Sequence, residues 1–455
     1  MIIPRHFNQK KYQKYLIELP KIKQYSKNII TIYNPKDFFN LLIDKISKAK
    51  KLIYLAILYL EKDQAGLKIL KTIYQAKTNN PNLEVAILVD WYRAHRTVLG
   101  KKKDMTNSDW YSYMANKYKN IDVPIYGIPI NLNEALGVLH LKGCIIDDYI
   151  FYSGASISNE YLNQFNTKYR YDRYQVIYNR TLSNSMSNLI RSKLLIEKSI
   201  LINKISSYNK KKFFIRRYSR VLRKQLKSAK YFYNKDSCYD QLSIIPLLGV
   251  GKNNLLNRTI HNLVCSTKYK LTLCTPYFNL FPLLIKDISK ILNLNKTVEI
   301  IVGDKISNDF YNPDNSVFKI ISIIPYLYEI NLRNFIKNYQ NYIDNGNLII
   351  KVWRHKNNSF HIKGIWVDRI WTLLTGNNFN ARAWALDLEN AILIHDPKQE
   401  IKNQRKQELS YIYKYTKRIN SFQEIEKISD YPKKVKKIIR NIQIIHFDRL
   451  IKKIL

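Results

Sequence analysis

Two stretches of the chain carry a histidine, a lysine and an aspartate at one spacing. His140, Lys142 and Asp147 stand in HLKGCIIDD, and His361, Lys363 and Asp368 stand in HIKGIWVDR, 221 residues further on. A single H-x-K is weak evidence. With 8 histidines in a chain where 76 of 455 residues are Lys or Arg, about one such match arises by frequency alone. The second copy changes the odds, because each is followed by Asp at the same distance and then by a Gly-containing turn, YSGASISN (152–159) and LTGNNFN (374–380).

Alternation along an extended segment puts the His and Lys of each copy on one face, so two copies brought together offer two imidazoles and two ammonium groups. That set suits transfer at phosphorus. One neutral histidine attacks, while the other gives a proton to the leaving oxygen and later takes one from the acceptor. The lysines, with Ser156 and Ser158 of the first turn and Asn377, Asn378 and Asn380 of the second, can neutralise the non-bridging oxygens. The chemistry needs neither metal nor cofactor, and none is expected. Asp147 and Asp368 complete the catalytic candidates, although an aspartate ending a strand equally suits a turn, and the structural role is preferred. The carboxylate that orients an imidazole is expected elsewhere, at Glu389 in LDLENAILI, with Asp172 in KYRYDRY as its first-half analogue. Asp90, Arg93, Asp304 and Lys305 follow apolar runs, where the rim of a substrate site is expected.

The elements around these residues also repeat. Leu52–Leu60 and Tyr269–Pro276 read as buried strands, followed by the runs Val85–Asp90 and Val298–Asp304 and then by the two motifs. Three features in the same order predict two copies of one α/β unit, each a mixed or parallel sheet between helices. The boundaries that follow are a first lobe over 1–209, a basic connection over 210–234, a second lobe over 235–400 and a basic helical segment over 401–455. Two lobes related by a pseudo-twofold would share one active site between them.

The net charge is +41, which favours polyanions, whether an anionic membrane or nucleic acid. Abundant Lys, Ile, Asn and 35 Tyr also match A/T-rich codons, so charge alone does not choose between them. Lys210–Lys227 and Tyr431–Leu455 pair apolar stripes with basic faces, the pattern of a helix lying on lipid or packed on a lobe. The longest apolar run, LIYLAILYL, is nine residues, against the roughly 20 needed to span a bilayer. Cys144, Cys238, Cys265 and Cys274 form no C-x-x-C pair, and no histidine stands at zinc-ligand spacing, so a reducing compartment is expected. The first residues, MIIPRHFNQKKYQKYL, lack an apolar core of signal-peptide length.

At this point the sequence resembles the phospholipase D superfamily. Within it, LVDWYRAHR (88–96), CTPYFNL (274–280), EIIVGDK (299–305), PYLYEINLR (325–333) and TGNNFNARAWALDLENAILIHDP (375–397) look like the CDP-diacylglycerol–serine O-phosphatidyltransferases of Gram-negative bacteria. The resemblance spans nearly the whole chain. It implies two α-β-α lobes, CDP-diacylglycerol and L-serine as substrates, and phosphatidylserine and CMP as products. It also implies a phosphatidyl-histidine intermediate, with His140 preferred as nucleophile, and a cytoplasmic enzyme held peripherally on the inner face of the cell membrane. No dedicated nucleic acid partner is implied, although polyanions would bind non-specifically. Alternatives within the same chemistry are cardiolipin-type synthesis and a metal-independent nuclease. Ala155 replaces the superfamily's usual Ser after Gly154, Ser158 and Asn159 share its Asn position, and Gly376 comes one residue late. The D-G-x2-A-R motif of membrane-embedded serine transferases is absent.

Overall fold

The structure is a computed structural model that describes residues 8–96, 105–164, 169–195, 199–204, 212–234, 240–312 and 320–444. Its two large sheets repeat one topology. In the first, strands run in the order Ile200–Leu201, Ile125–Ile128, Glu84–Asp90, Leu52–Ala56, Cys144–Ile146, Tyr149–Ser153, Tyr174–Tyr178 and Ile29–Ile32. The second runs Thr416–Ile419, Leu348–Trp353, Thr297–Gly303, Lys270–Thr275, Gly364–Val367, Trp371–Thr375, Leu388–His395, Ser243–Val250 and Ile22–Lys23. In both, the central three strands are parallel and the four that follow are antiparallel. The parallel strands are near-continuous apolar runs because helices cover both of their faces. This is the mixed, two-lobed α/β architecture expected from the repeat.

Several expected boundaries shift. The helix Gln9–Glu18 and the strand Ile22–Lys23 were assigned to the first lobe, but they pack on the second. Leu16 and Leu19 lie in the second lobe's core, and Ile22 pairs with Ile244 at the sheet edge. The physical reason is an otherwise open edge at Ser243–Val250, which the N-terminal strand covers. Along Ser243–Val250, Ile244, Leu248 and Val250 face the first lobe's core while Ile245 and Leu247 face the second's, the period-two alternation of a strand between two apolar layers. The lobes therefore share a core.

The basic connection contains a helix, Lys212–Lys227. Its stripe of Ile215, Tyr218, Leu222 and Leu226 is buried in the first lobe's core, which takes that stripe away from lipid. Full burial of such a side chain stabilises by about 1.5–3 kcal/mol. Arg223 on the same helix donates to the carbonyls of Leu386 and Ala385. The segment after residue 400 is not wholly helical, since Thr416–Ile419 extends the second sheet. Its last described helix, Lys433–Ile444, buries Val435 and Ile439 against Ile323, Tyr326 and Tyr431. Lys210, Cys238 and residues 445–455 lie outside the described residues. No helix among the described residues is long and apolar enough to cross a membrane.

The motif aspartates sit at the far end of the strands that follow each H-x-K. Asp147 accepts hydrogen bonds from the backbone N–H groups of Lys50, Lys51 and Leu52 at 2.9, 2.7 and 3.1 Å. Asp368 accepts from Lys268, Tyr269 and Lys270 at 2.6, 2.8 and 2.9 Å. Both adopt the left-handed conformation, with φ of 51° and 52°, which Asp tolerates better than most residues. Their carboxylates fix the turn into the parallel strand, which corrects their place among the catalytic candidates. Asp368→Ala is expected to cost about 1–2 kcal/mol in urea unfolding while the folded enzyme keeps its turnover. Loss of turnover with an unchanged unfolding midpoint would contradict the structural role.

Candidate active site

Each H-x-K segment is extended but lies just ahead of its strand, and it is held by the opposite lobe. Val138–Lys142 runs parallel to Asp387–Asn390 of the second lobe. His140 N donates to Leu388 O at 2.9 Å, Leu388 N to Val138 O at 3.0 Å, and Val138 N to Asp387 Oδ1 at 2.9 Å. In the mirror arrangement Ser359–Phe360 pairs in parallel with Arg170–Tyr171 of the first lobe, and His361 N donates to Tyr171 O at 2.8 Å. The dipeptides that follow, Asp172-Arg173 and Glu389-Asn390, occupy matching places in the repeat. Asn390 Nδ2 donates to Lys142 O at 2.8 Å, and Arg173 Nη1 donates to Lys363 O at 3.3 Å.

The carboxylates of those dipeptides reach across as well. His140 Nδ1 lies 2.9 Å from Glu389 Oε1, and His361 Nδ1 lies 2.7 Å from Asp172 Oδ2. Each imidazole is thus oriented by the other lobe's acid, and with its proton on Nδ1 it presents Nε2 as the reactive atom. The glycine turns cross too. A Cβ on Gly376 would fall 2.7 Å from Lys142 Cγ, and one on Gly154 would fall 3.2 Å from Lys363 Nζ and 2.9 Å from Asp172 Oδ1. Glycine is required at both places so that the partner lobe's lysine can lie against the turn.

Burial sets the electrostatics. The His140 and His361 side chains are 12% and 11% exposed. Burial, followed by the charges of Lys142 and Lys363, holds His140 well below the usual imidazole value. Burial and Lys363 bring His361 down to about 4, against the upward pull of Asp172 and Asp309. Lys142 is lowered to about 8 by burial and by Lys363, and burial lowers Lys363 too, against the pull of Asp172. Burial alone would raise Asp172, yet Lys363 and the His361 hydrogen bond outweigh it and keep that carboxyl low. Burial together with Asp387 pushes Glu389 well up. The two half-sites differ at the free ring nitrogen. Tyr161 Oη and Lys363 Nζ each lie 3.1 Å from His361 Nε2, whereas His140 Nε2 has no partner among the described residues.

The turn residues and the rim are less uniform than expected. Ser156 and Ser158 are buried, and their hydroxyls make no hydrogen bond among the described residues. The side-chain oxygens of Asn377 and Asn380 accept from Phe379 N and Ala383 N, so Asn380 caps a helix. Asn377 Nδ2, Asn378 Oδ1 and Glu389 Oε2 are buried without a partner. Asp90 is fully buried. It holds Tyr92 N, Arg93 N and Leu139 N at 2.9–3.0 Å and so positions the His140 segment. Arg93 pairs with Glu134 at 3.0 Å. Asp304 accepts from Ile306 N at 2.8 Å, and Lys305 is tied to Glu329 and Glu426 at 3.0 and 2.5 Å. These two line a pocket whose wall toward His361 is Tyr277, but their side chains are already engaged within the protein, in contrast to the free substrate ligands expected.

Asn390, Arg173, Tyr161, Arg170 and Asp309 were not foreseen in the sequence. The first two were discoverable by aligning Asp172-Arg173 with Glu389-Asn390, and the rest carry no local signal. The expectation that no histidine stands at zinc-ligand spacing overlooks His261 and Cys265. On the second lobe His261, Cys265 and Asp287 bring three ligand-capable atoms within 4.8 Å, with the Asp287 carboxylate bonded to His261 at 2.5 Å and to Lys290 at 3.0 Å.

Two repeated lobes, each contributing a His and a Lys to one buried centre and each orienting the other's histidine, define a phosphodiester-handling enzyme of the phospholipase D type. Residues 260–413 match the family model described as cardiolipin synthase, PLD-like domain. Over 99% of both chains, the sequence is 47% identical to the CDP-diacylglycerol–serine O-phosphatidyltransferase of Escherichia coli. It is 42% identical to that of Haemophilus influenzae over 98% of this chain and 99% of the relative. The crystal structure of H. influenzae phosphatidylserine synthase superposes with a TM-score of 0.94 at 41% identity, covering 98% of this chain and 100% of that one. The chain belongs to the phospholipase D-type family of CDP-diacylglycerol–serine O-phosphatidyltransferases.

As the cation expected to neutralise a phosphate oxygen, Lys142 would work as its ammonium. Its lowered value means that charge is present below pH 8 and is lost as pH rises through about 8 in the free enzyme. kcat/KM is therefore expected to fall above about pH 8, and Lys142→Arg, which stays charged, should move that limb to higher pH. An alkaline limb that does not move in the variant would remove Lys142 from that role.

Proposed function

We propose that the chain transfers the phosphatidyl group of CDP-diacylglycerol to L-serine, giving phosphatidylserine and CMP in two steps through a phosphatidyl-histidine. The observation that carries the reading is the 47% identity across 99% of both chains, with both half-sites intact. In the first step His140 Nε2 attacks the lipid-side phosphorus. The bond from that phosphorus to the CMP oxygen breaks, and protonated His361 supplies the proton. In the second, His361 takes the proton of the serine hydroxyl, whose oxygen attacks phosphorus and expels His140 Nε2.

His140 is favoured as nucleophile because burial keeps it neutral and its Nε2 has no partner among the described residues, while the His361 Nε2 faces the Tyr161 hydroxyl and the Lys363 ammonium. The bound phosphates add negative charge beside His361, which favours its protonated form in the complex. Lys142 and Lys363 stabilise the charge that develops on the equatorial oxygens. Since the donor is a membrane lipid, the same reading puts the enzyme peripherally on the inner face of the cell membrane. The exposed Lys433, Lys437 and Arg440 suit an anionic surface there.

A two-step scheme releases CMP before serine attacks. Labelled CMP is expected to exchange into CDP-diacylglycerol in mixed micelles with EDTA present and no serine. His140→Ala should abolish the exchange, and mass spectrometry of trapped enzyme should place the phosphatidyl group on His140. Exchange that strictly needs serine would overturn the covalent scheme. Product formed with glycerol 3-phosphate or phosphatidylglycerol in place of serine would overturn the acceptor.

A further inference from the structure

The two half-sites are alike in their His, Lys and acid, but their surroundings differ. Beside His140, beyond Glu389, the charges of Lys142, Lys363, His361 and Arg382 lower its value, and Arg382 is tied there to Asp387 at 2.9 Å, whose other oxygen holds Val138 N. Beside His361 lies a cluster of both signs. Asp309 sits with its side chain 12% exposed, and Arg170 Nε lies 3.1 Å from Asp309 Oδ1 with its side chain 23% exposed. Arg170 Nη2 also meets Glu160 Oε2 at 3.0 Å, which leaves Nη1 outside both contacts. The Arg170 guanidinium lies 5.0 Å from the centre of the Tyr161 ring, and it is the Tyr161 hydroxyl that touches His361 Nε2. Tyr277 completes the group. Its hydroxyl donates to Asp309 Oδ2 at 3.1 Å, and its ring centroid is 6.4 Å from that of His361.

We propose that Arg170 and Asp309, beside His361, form the acceptor subsite, in which Asp309 takes the ammonium of the amino acid, Arg170 takes its carboxylate, and the substrate hydroxyl replaces the Tyr161 hydroxyl at His361 Nε2. This rests on the two-step reading, in which the acceptor must attack from the side of the general base. An in-line displacement by His140 leaves the opposite side of phosphorus to the leaving group and then to the acceptor, and His361 serves both. The chemistry of the cluster matches a zwitterion. A carboxylate and a guanidinium paired at 3.1 Å can each exchange part of that contact for the opposite charge of an α-amino acid, so no buried charge is left unpaired. Acceptors that lack one of the two charges would leave Arg170 or Asp309 with its internal partner alone and would not bring the hydroxyl to His361. The Tyr161 hydroxyl stands where the serine hydroxyl is to be deprotonated.

The test compares acceptors, each normalised to the enzyme's own CMP exchange without serine. Wild-type enzyme should use L-serine better than 3-hydroxypropanoate, which lacks the ammonium, and better than ethanolamine, which lacks the carboxylate, by about tenfold or more in each case. Asp309→Asn should raise KM for serine about tenfold and collapse the preference for serine over 3-hydroxypropanoate while keeping that over ethanolamine. Arg170→Gln should show the reverse pattern. If Arg170→Gln does not fold, Tyr277→Phe, which removes one hydrogen bond to Asp309, should still weaken the ammonium preference. Equal losses for all three acceptors in Asp309→Asn would overturn the subsite while leaving the two-step reading intact. Failure of serine-free exchange in the wild type would instead overturn that reading, so the two failures are distinct.

Discussion

The structure depends on an exchange across the lobe interface. Each lobe lends its His-x-Lys segment to the other as an added strand, and each returns a carboxylate to the histidine it receives. Because His140 N bonds Leu388 O and His361 N bonds Tyr171 O, part of each catalytic segment's backbone is satisfied only by the other lobe. A buried N–H or C=O left unpaired costs about 1–3 kcal/mol, so the contact between the lobes helps to hold both segments in place.

That constraint explains why the lobes share a core. The strand Ser243–Val250 has one face in each apolar cluster, the connecting helix is buried along its stripe, and the N-terminal strand Ile22–Lys23 covers the edge of the second sheet beside it. A pair of domains hinged on a flexible linker could not hold two imidazoles and two ammonium groups in register. Here Gly154 and Gly376 let the lysine of one lobe lie against the turn of the other, a fit that tolerates little relative movement.

Bringing Lys142, Lys363 and two histidines into one buried centre is electrostatically unfavourable without an anion. The depressed values of all four groups express that cost, and Asp172 and Glu389 offset only part of it. In the proposed reaction a phosphodiester supplies the missing negative charge, and more of it accumulates in the transition state. Donors fixed in a water-poor site stabilise such charge without reorganising. The same asymmetry that distinguishes Asp172, held low, from Glu389, pushed up, distinguishes the two histidines in turn.

The chemistry and the duplication could be read from the chain alone, because a repeated H-x-K with a following Gly turn is local in sequence and the apolar runs Leu52–Ala56 and Lys270–Thr275 announce their strands by composition. Glu389 was visible too, as an acid inside an apolar strand run where an unpaired carboxylate would be costly, with Asp172 in KYRYDRY as its first-half analogue. What remained hidden was which acid serves which histidine, since that pairing spans 249 and 189 residues and exists only once two sheets face each other. For the same reason Asp90 and Lys305, each at a strand end, looked like substrate ligands. Only packing shows that one is fully buried against backbone and the other held by two glutamates. Amphipathic stripes likewise state that a face must be covered, and tertiary structure alone decided that the Lys212–Lys227 stripe is covered by protein. Sequence determines which groups are present and at what local spacing; the partners of a buried charge are set by contacts between distant segments.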